Sequence, residues 1–209
     1  MTLKLIVKKL GMQKEKFITR DIIKKFSEEL NIDYYTVISY LLSNKYLIRI
    51  LRGVFYVNSL EERKKKKADI NHFEAIGKAL EIKGVNNWYF GLETALKLNN
   101  ITHEYFNITY VLSDSIFRKN LIEILGHKIK FIKLNKKLFR FGIIKNNLNY
   151  SDMEKAILDI AYLRKYNSIP DEEIINEIIG FIKYCSKSKL KKYSKHYPKT
   201  VQKIIRGVA

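Results

Sequence analysis

Four hydroxyl-bearing side chains, Thr36, Ser39, Tyr40 and Ser43, recur three or four residues apart, with Tyr35 at their flank. At about 100° per residue this spacing sets them along one side of a helix, while Val37, Ile38, Leu41 and Leu42, with Tyr34, cluster on the other. Hydroxyls and phenols both donate and accept hydrogen bonds. An outward face of such groups, free of acidic side chains, suits a major groove lined by base edges and phosphates. Arg49 and Arg52 flank a tight turn a few residues later, where a guanidinium would touch phosphate or enter a minor groove. Arg20, Lys24 and Lys25 precede the helix and are placed to meet phosphates.

Bond-making chemistry has less to stand on. His72, His103, His127 and His196 are scattered, with no pair at the i, i+3 or i+4 spacing of a metal site. Neither a Gly-x-x-x-x-Gly-Lys-Ser/Thr phosphate loop nor a Gly-x-Ser-x-Gly elbow occurs. Glu154 and Asp159, five residues apart, lie about 140° apart around a helix and do not face one site. Asp152 with Glu154, or Glu172 with Glu173, has the acidity to hold a divalent metal, but each pair reads more simply as carboxylates at a helix N-terminus. The single cysteine, Cys185, beside Tyr184 on an amphipathic stretch, reads as core; alone, it excludes a disulfide framework and a thiolate-rich zinc site. The sequence therefore calls for no catalytic residue, no metal and no cofactor.

The charge points the same way. Among 209 residues, 40 Lys and Arg face 21 Asp and Glu, a net charge of +19 that favours a polyanionic partner. Residues 1–60 carry +6, 151–177 carry −4, and 178–209 carry +9 with no acidic side chain. The run Lys64, Lys65, Lys66, Lys67 and the later Lys191, Lys192 and Lys195 are further positions for contact with a nucleic-acid backbone. The C-terminal lysines are spaced as if spread around their helices instead of along one stripe. A hydrophobic share of 46% excludes disorder, and the longest apolar runs are too short to span a membrane. With no signal-peptide pattern at the N-terminus, a reducing, cytoplasmic location is expected.

The elements that must position these groups follow from periodicity. Leu3, Ile6, Val7 and Leu10 predict a helix stopped by Gly11; Thr19 opens a second over 20–30; Asp33 caps a third to about Asn44. Leu47–Leu51 and Val54–Val57 read as strands around Arg52-Gly53. Three helices and a hairpin predict a winged helix-turn-helix over 1–60. A basic linker over 61–70 and a mixed α/β domain over 71–209 follow. In that domain a helix ends at Gly84, and Asn86–Gly91 turns into a short helix. Strand-like runs lie at 106–112, 128–134 and 139–144. Ser151 caps a helix, Pro170 opens another to Cys185, and two short basic helices flank Pro198. The fold class is α+β, a small sheet covered by helices.

Four segments, in order, resemble the AbiEi antitoxin family of abortive-infection (type IV) toxin–antitoxin systems. Leu47-Ile48-Arg49-Ile50-Leu51-Arg52-Gly53-Val54-Phe55-Tyr56 is similar to the family's wing, and Trp88-Tyr89-Phe90-Gly91-Leu92-Glu93-Thr94-Ala95-Leu96 to its aromatic helix opening. Tyr150-Ser151-Asp152-Met153-Glu154-Lys155-Ala156-Ile157-Leu158-Asp159 resembles a family helix that commonly carries Arg in place of Lys155, and Tyr197-Pro198-Lys199-Thr200-Val201 a late Pro-Lys-Thr-Val segment. The resemblance implies a transcriptional autorepressor that binds repeats in its own promoter as double-stranded DNA. It also implies a C-terminal domain that counters a nucleotidyltransferase-like toxin. The alternative from the residues is an RNA-binding or toxin-sequestering module without operator specificity.

Overall fold

Residues 3–57 pack around a small apolar core. Ile6 and Leu10 of α1 (Thr2–Gly11) face Ile23 and Phe26 of α2 (Arg20–Glu29) and Val37, Ile38 and Leu41 of α3 (Tyr34–Ser43), all buried. The computed structural model describes residues 2–102, 104 and 106–208; His103, one of the four histidines, lies outside the described residues. Asn31 turns the chain between α2 and α3 in the left-handed region (φ 50°), a conformation that Asn tolerates better than most side chains. Asp33 then caps α3 by accepting the Thr36 N–H at 2.8 Å. Leu47 and Phe55, from β2 (Leu47–Leu51) and β3 (Val54–Val57), close the core from below. β1 (Phe17–Thr19) pairs antiparallel with β3, giving the order β1-β3-β2.

The stretch expected to be a basic linker is tied down. Ser59 and Glu62 form a reciprocal capping box on α4 (Leu60–Lys65), so lysines 64 and 65 sit on a helix and Lys66 caps its end. Glu62 is fully buried. Its carboxylate accepts from the Tyr56 hydroxyl (2.5 Å), the N–H groups of Ser59 (2.7 Å) and Asp69 (2.9 Å), and Lys16 Nζ (2.8 Å). The expected boundary at residue 70 is displaced for the same reason. α5 (His72–Ile82) packs on β2 and β3, and the compact unit runs to Asn86, joined by Ile124–Gly126.

Burial raises the Glu62 pKa, but the bonds from Lys16, Tyr56, Asp69 and Ser59 outweigh it and hold the group below the ordinary carboxylate range. A depressed folded-state pKa stabilises above the unfolded value, near pH 4.5, and the contribution fades as pH falls towards the folded one. Glu62→Gln is expected to cost the N-terminal unit about 2–3 kcal/mol at neutral pH. Urea midpoints at pH 7 and pH 3 check this: the gap between wild type and variant must shrink at the lower pH.

The second unit spans Asn87–Glu123 and His127 onward. Its elements are β4 (Trp88–Phe90), α6 (Leu92–Leu98), β5 (Ile108–Ser113), β6 (Ile122–Ile124), β7 (His127–Lys133), a 3-10 turn (Lys136–Phe139), β8 (Ile143–Lys145), β9 (Asn149–Ser151), α7 (Met153–Tyr166), α8 (Asp171–Ile182), α9 (Lys187–Ser194) and α10 (Lys199–Val208). The sheet order is β6-β7-β5-β4-β9-β8. β5 runs parallel to β7, and β4 parallel to β9. α7, buried over Met153–Ala161, is the hub against which α6, α8, α9 and α10 pack.

Four expectations change here. Trp88–Phe90, expected as a turn, is a central strand whose three aromatics are all buried. The strand expected over 139–144 splits into the 3-10 turn and β8. Asp152 caps α7, its Oδ1 accepting the Lys155 N–H at 3.0 Å, while Ser151 ends β9. The helix opened by Pro170 stops at Ile182, short of Cys185. The chain is thus mixed α+β, with ten α-helices and two sheets among the described residues. Among the same residues no helix is long and apolar enough to cross a membrane.

Candidate nucleic-acid interface

The Arg52-Gly53 turn, the start of α2 and the start of α3 meet. Gly53 adopts φ 79°, which lets two residues reverse the chain between Leu51 and Val54. Its carbonyl accepts the N–H of Arg20 at 2.9 Å. That bond satisfies an orphan donor at the first turn of α2, where Thr19 supplies no side-chain cap. The Arg20 guanidinium lies 5.1 Å from the Tyr34 ring, and Tyr34 meets Tyr35 edge-on at 5.3 Å. Lys83 Nζ donates to the Arg52 carbonyl at 3.0 Å. One surface therefore carries exposed Arg20, Arg52 and Lys83 beside Tyr35, which is 70% exposed.

The hydroxyl face of α3 is partly committed to its own helix. Thr36, Ser39 and Ser43 are exposed as expected. The Thr36 hydroxyl, however, donates to Asp33 (3.2 Å) and that of Ser43 to the Tyr40 carbonyl (3.1 Å). Ser39 is left with its hydroxyl unengaged among the described residues. Tyr40 departs from the open face: half-buried, it stacks on Tyr46 at 5.9 Å, with the Arg63 guanidinium 4.1 Å from the Tyr46 ring. Burial and the neighbouring Tyr46 raise its phenol pKa.

The remaining expected contacts are dispersed. Arg49 is exposed on β2, its guanidinium 5.9 Å from the Phe55 ring. Lys24 is half-buried and Lys25 exposed on α2. Among the described residues no side-chain hydrogen bond or ion pair links these three to Arg20, Gly53 or Tyr34. Lys64, Lys65, Lys66 and Lys67 are exposed around the end of α4, and Lys191, Lys192 and Lys195 are exposed on or just after α9 in the other unit. Sequence spacing did not single out Lys83, whose part depends on a contact 31 residues distant.

The carboxylates of the second unit have structural partners. Asp152 accepts from Lys155 N–H and from the Tyr193 hydroxyl (3.2 Å), and Glu154 from the Ser186 N–H (2.8 Å). Cys185 is half-buried; burial first, then the charges of Glu154 and Asp152, push its thiol up to about 12, far from a reactive thiolate. Among the described residues no group of three His, Cys, Asp or Glu side chains could hold a metal ion.

Sequence spacing also did not single out a buried polar node. Lys155 and Asp159, both fully buried, pair at 3.4 Å across one turn of α7. Asp159 also accepts the hydroxyls of Tyr197 (2.6 Å) and Tyr89 (2.7 Å). Lys155 Nζ lies 4.7–4.8 Å from the rings of Phe141 and Tyr89. Burial lowers the lysine pKa and Asp159 opposes it; burial and Asp159 together raise both phenols. Gly142 (φ 64°) makes room, since a Cβ there would stand 2.8 Å from Lys155 Cβ. The available signal was the i, i+4 Lys–Asp spacing inside an apolar run.

No protein family and no curated protein matches the chain. Among solved structures it is similar to the RV2827C protein from Mycobacterium tuberculosis, at 11% identity and a TM-score of 0.62, over 99% of this chain and 75% of that one. At that identity the likeness is one of fold alone, and the fold it supports is this mixed α+β arrangement.

Proposed function

We propose that this chain is a sequence-specific DNA-binding autorepressor whose N-terminal unit acts as a winged helix-turn-helix. The junction of Arg20, Gly53 and Tyr34 carries the reading. It ties a hairpin tip bearing Arg52 to the start of α3, so that helix and wing would approach one duplex together. Tyr35 and Ser39 are the groups on α3 best placed to meet base edges; Arg20, Arg52 and Lys83 would hold phosphates, with Lys25 and Arg49 further out. The resemblance to the AbiEi antitoxins extends the proposal: the target is repeats in the chain's own promoter, and the C-terminal unit counters a nucleotidyltransferase-like toxin in the cytoplasm. The role is binding, without an enzymatic step.

A gel shift on the upstream DNA of its own gene, against a duplex of scrambled sequence, tests this. Binding to the upstream DNA is expected to be about 10³-fold tighter or more. Equal affinity for both duplexes would transfer the reading to a protein- or RNA-binding module. A neighbouring nucleotidyltransferase-like gene whose toxicity is relieved on co-expression would support the antitoxin half.

A further inference from the structure

The structure assigns a second polyanion site to the C-terminal unit, in the groove between α9 and α10, for a single strand of consecutive phosphates. It goes beyond promoter recognition and does not depend on it. Lys187, Lys191 and Lys195 are four residues apart, so they form one stripe about 6 Å per step along α9 and its end, contrary to the scattered arrangement expected from the sequence. The stripe lines a groove of about 470 Å³ whose other wall carries Arg206, Gln202 and Ile205 of α10.

Three observations mark this groove as a site instead of an ordinary solvated surface. First, its lining contains four cations and no acidic side chain among the described residues. The nearby Lys189, two positions off the stripe, lies 3.6–3.7 Å from Asp152 and Glu154, whereas none of the four groove cations is in an ion pair among the described residues. Second, the groove walls are firmly placed. Leu190, Val201, Ile204 and Ile205 are buried in the core of the unit, Gln202 Nε2 donates to the Tyr197 carbonyl (2.9 Å), and the turn between the helices is pinned through the Tyr197–Asp159 bond. Cations held on a fixed frame give up less freedom on binding than cations on a loose tail. Third, the shape selects the ligand. The lining offers lysine and arginine donors above the Ile205 floor but no aromatic ring on which a base could stack. Phosphates would be gripped without reading bases. A groove this size seats the phosphates of one strand or a short phosphate chain.

The test uses the full chain and a fluorescein-labelled single-stranded DNA 12-mer of mixed sequence, followed by anisotropy from 50 to 200 mM salt. Lys187→Glu/Lys191→Glu/Lys195→Glu is expected to weaken binding by tenfold or more. The log–log salt slope should flatten by about 2, at roughly 0.7 for each phosphate no longer gripped. The neutral Lys→Gln triple variant should show a smaller loss in the same direction; should the Glu variant fail to fold, judged by circular dichroism, the Gln variant decides alone. The same triple substitution made in an Arg20→Ala/Arg52→Ala background must cost a similar factor, since the groove acts independently of the N-terminal unit. Unchanged affinity in the triple variant, or a loss that vanishes in that background, overturns the assignment. Inorganic tripolyphosphate distinguishes the source: displacement of the oligonucleotide at equal phosphate concentration assigns the groove to short phosphate chains, and failure to displace assigns it to a nucleic-acid strand.

Discussion

Replacing Asp159 by Ala is expected to destabilise the C-terminal unit by about 3–5 kcal/mol, the usual effect of removing one partner of a buried charge pair. The carboxylate is the acceptor for three donors, Tyr197, Tyr89 and Lys155, none of which has access to water. Its loss leaves an ammonium and two hydroxyls uncompensated in an aromatic enclosure. The only tryptophan of the chain, Trp88, is part of β4 in this unit, so its fluorescence in a urea titration reports the right transition. The double variant Lys155→Met/Asp159→Leu should recover much of the loss, because a pair replaced by apolar groups of similar volume leaves no orphaned charge. An Asp159→Ala midpoint within about 1 kcal/mol of wild type would show that the node is relaxed or hydrated.

Removing both guanidinium groups at the hairpin junction, Arg20→Ala with Arg52→Ala, is expected to weaken binding to the chain's own upstream DNA about 30- to 100-fold. Each phosphate contact from a solvent-exposed arginine contributes about 1–1.5 kcal/mol, the upper part of the ordinary net range for a hydrogen bond, and 1.4 kcal/mol is tenfold. Both side chains are exposed, so the melting temperature should barely move. The salt slope supplies a second readout: releasing two phosphates of a duplex flattens it by about 1.8. If affinity falls without any change in slope, the two arginines act on the protein's own shape and not on phosphate.

The parts of the fold that announce themselves in the sequence are those with a long enough period. α1, α2 and α3 each carry an apolar stripe over two or three turns, and the β2–β3 hairpin has a Gly at the position that needs φ > 0. β1, β4, β6, β8 and β9 are three residues each, too short to display alternation. Glu62 was hidden differently. Next to a run of lysines the pair Glu61-Glu62 looks like solvated charge, and only the tertiary meeting of Lys16, Tyr56 and Asp69 turns Glu62 into an anchor. The candidate interface splits along the same line. The helix face was legible because it is local, whereas the Arg20–Gly53 bond spans 33 residues and Tyr40 is drawn onto Tyr46, which lies beyond the end of α3.

The stripe of Lys187, Lys191 and Lys195, without an ion pair among the described residues, also bears on the free protein. Like charges one helical turn apart repel, and Leu190 and Tyr197 hold α9 in place against that repulsion. Added salt therefore has opposite effects on the two states: it strips a bound polyanion from the groove while relieving self-repulsion in the empty one. Ionic strength is thus a control variable for this chain, and the form most at odds with its own charge is the unliganded protein in dilute buffer.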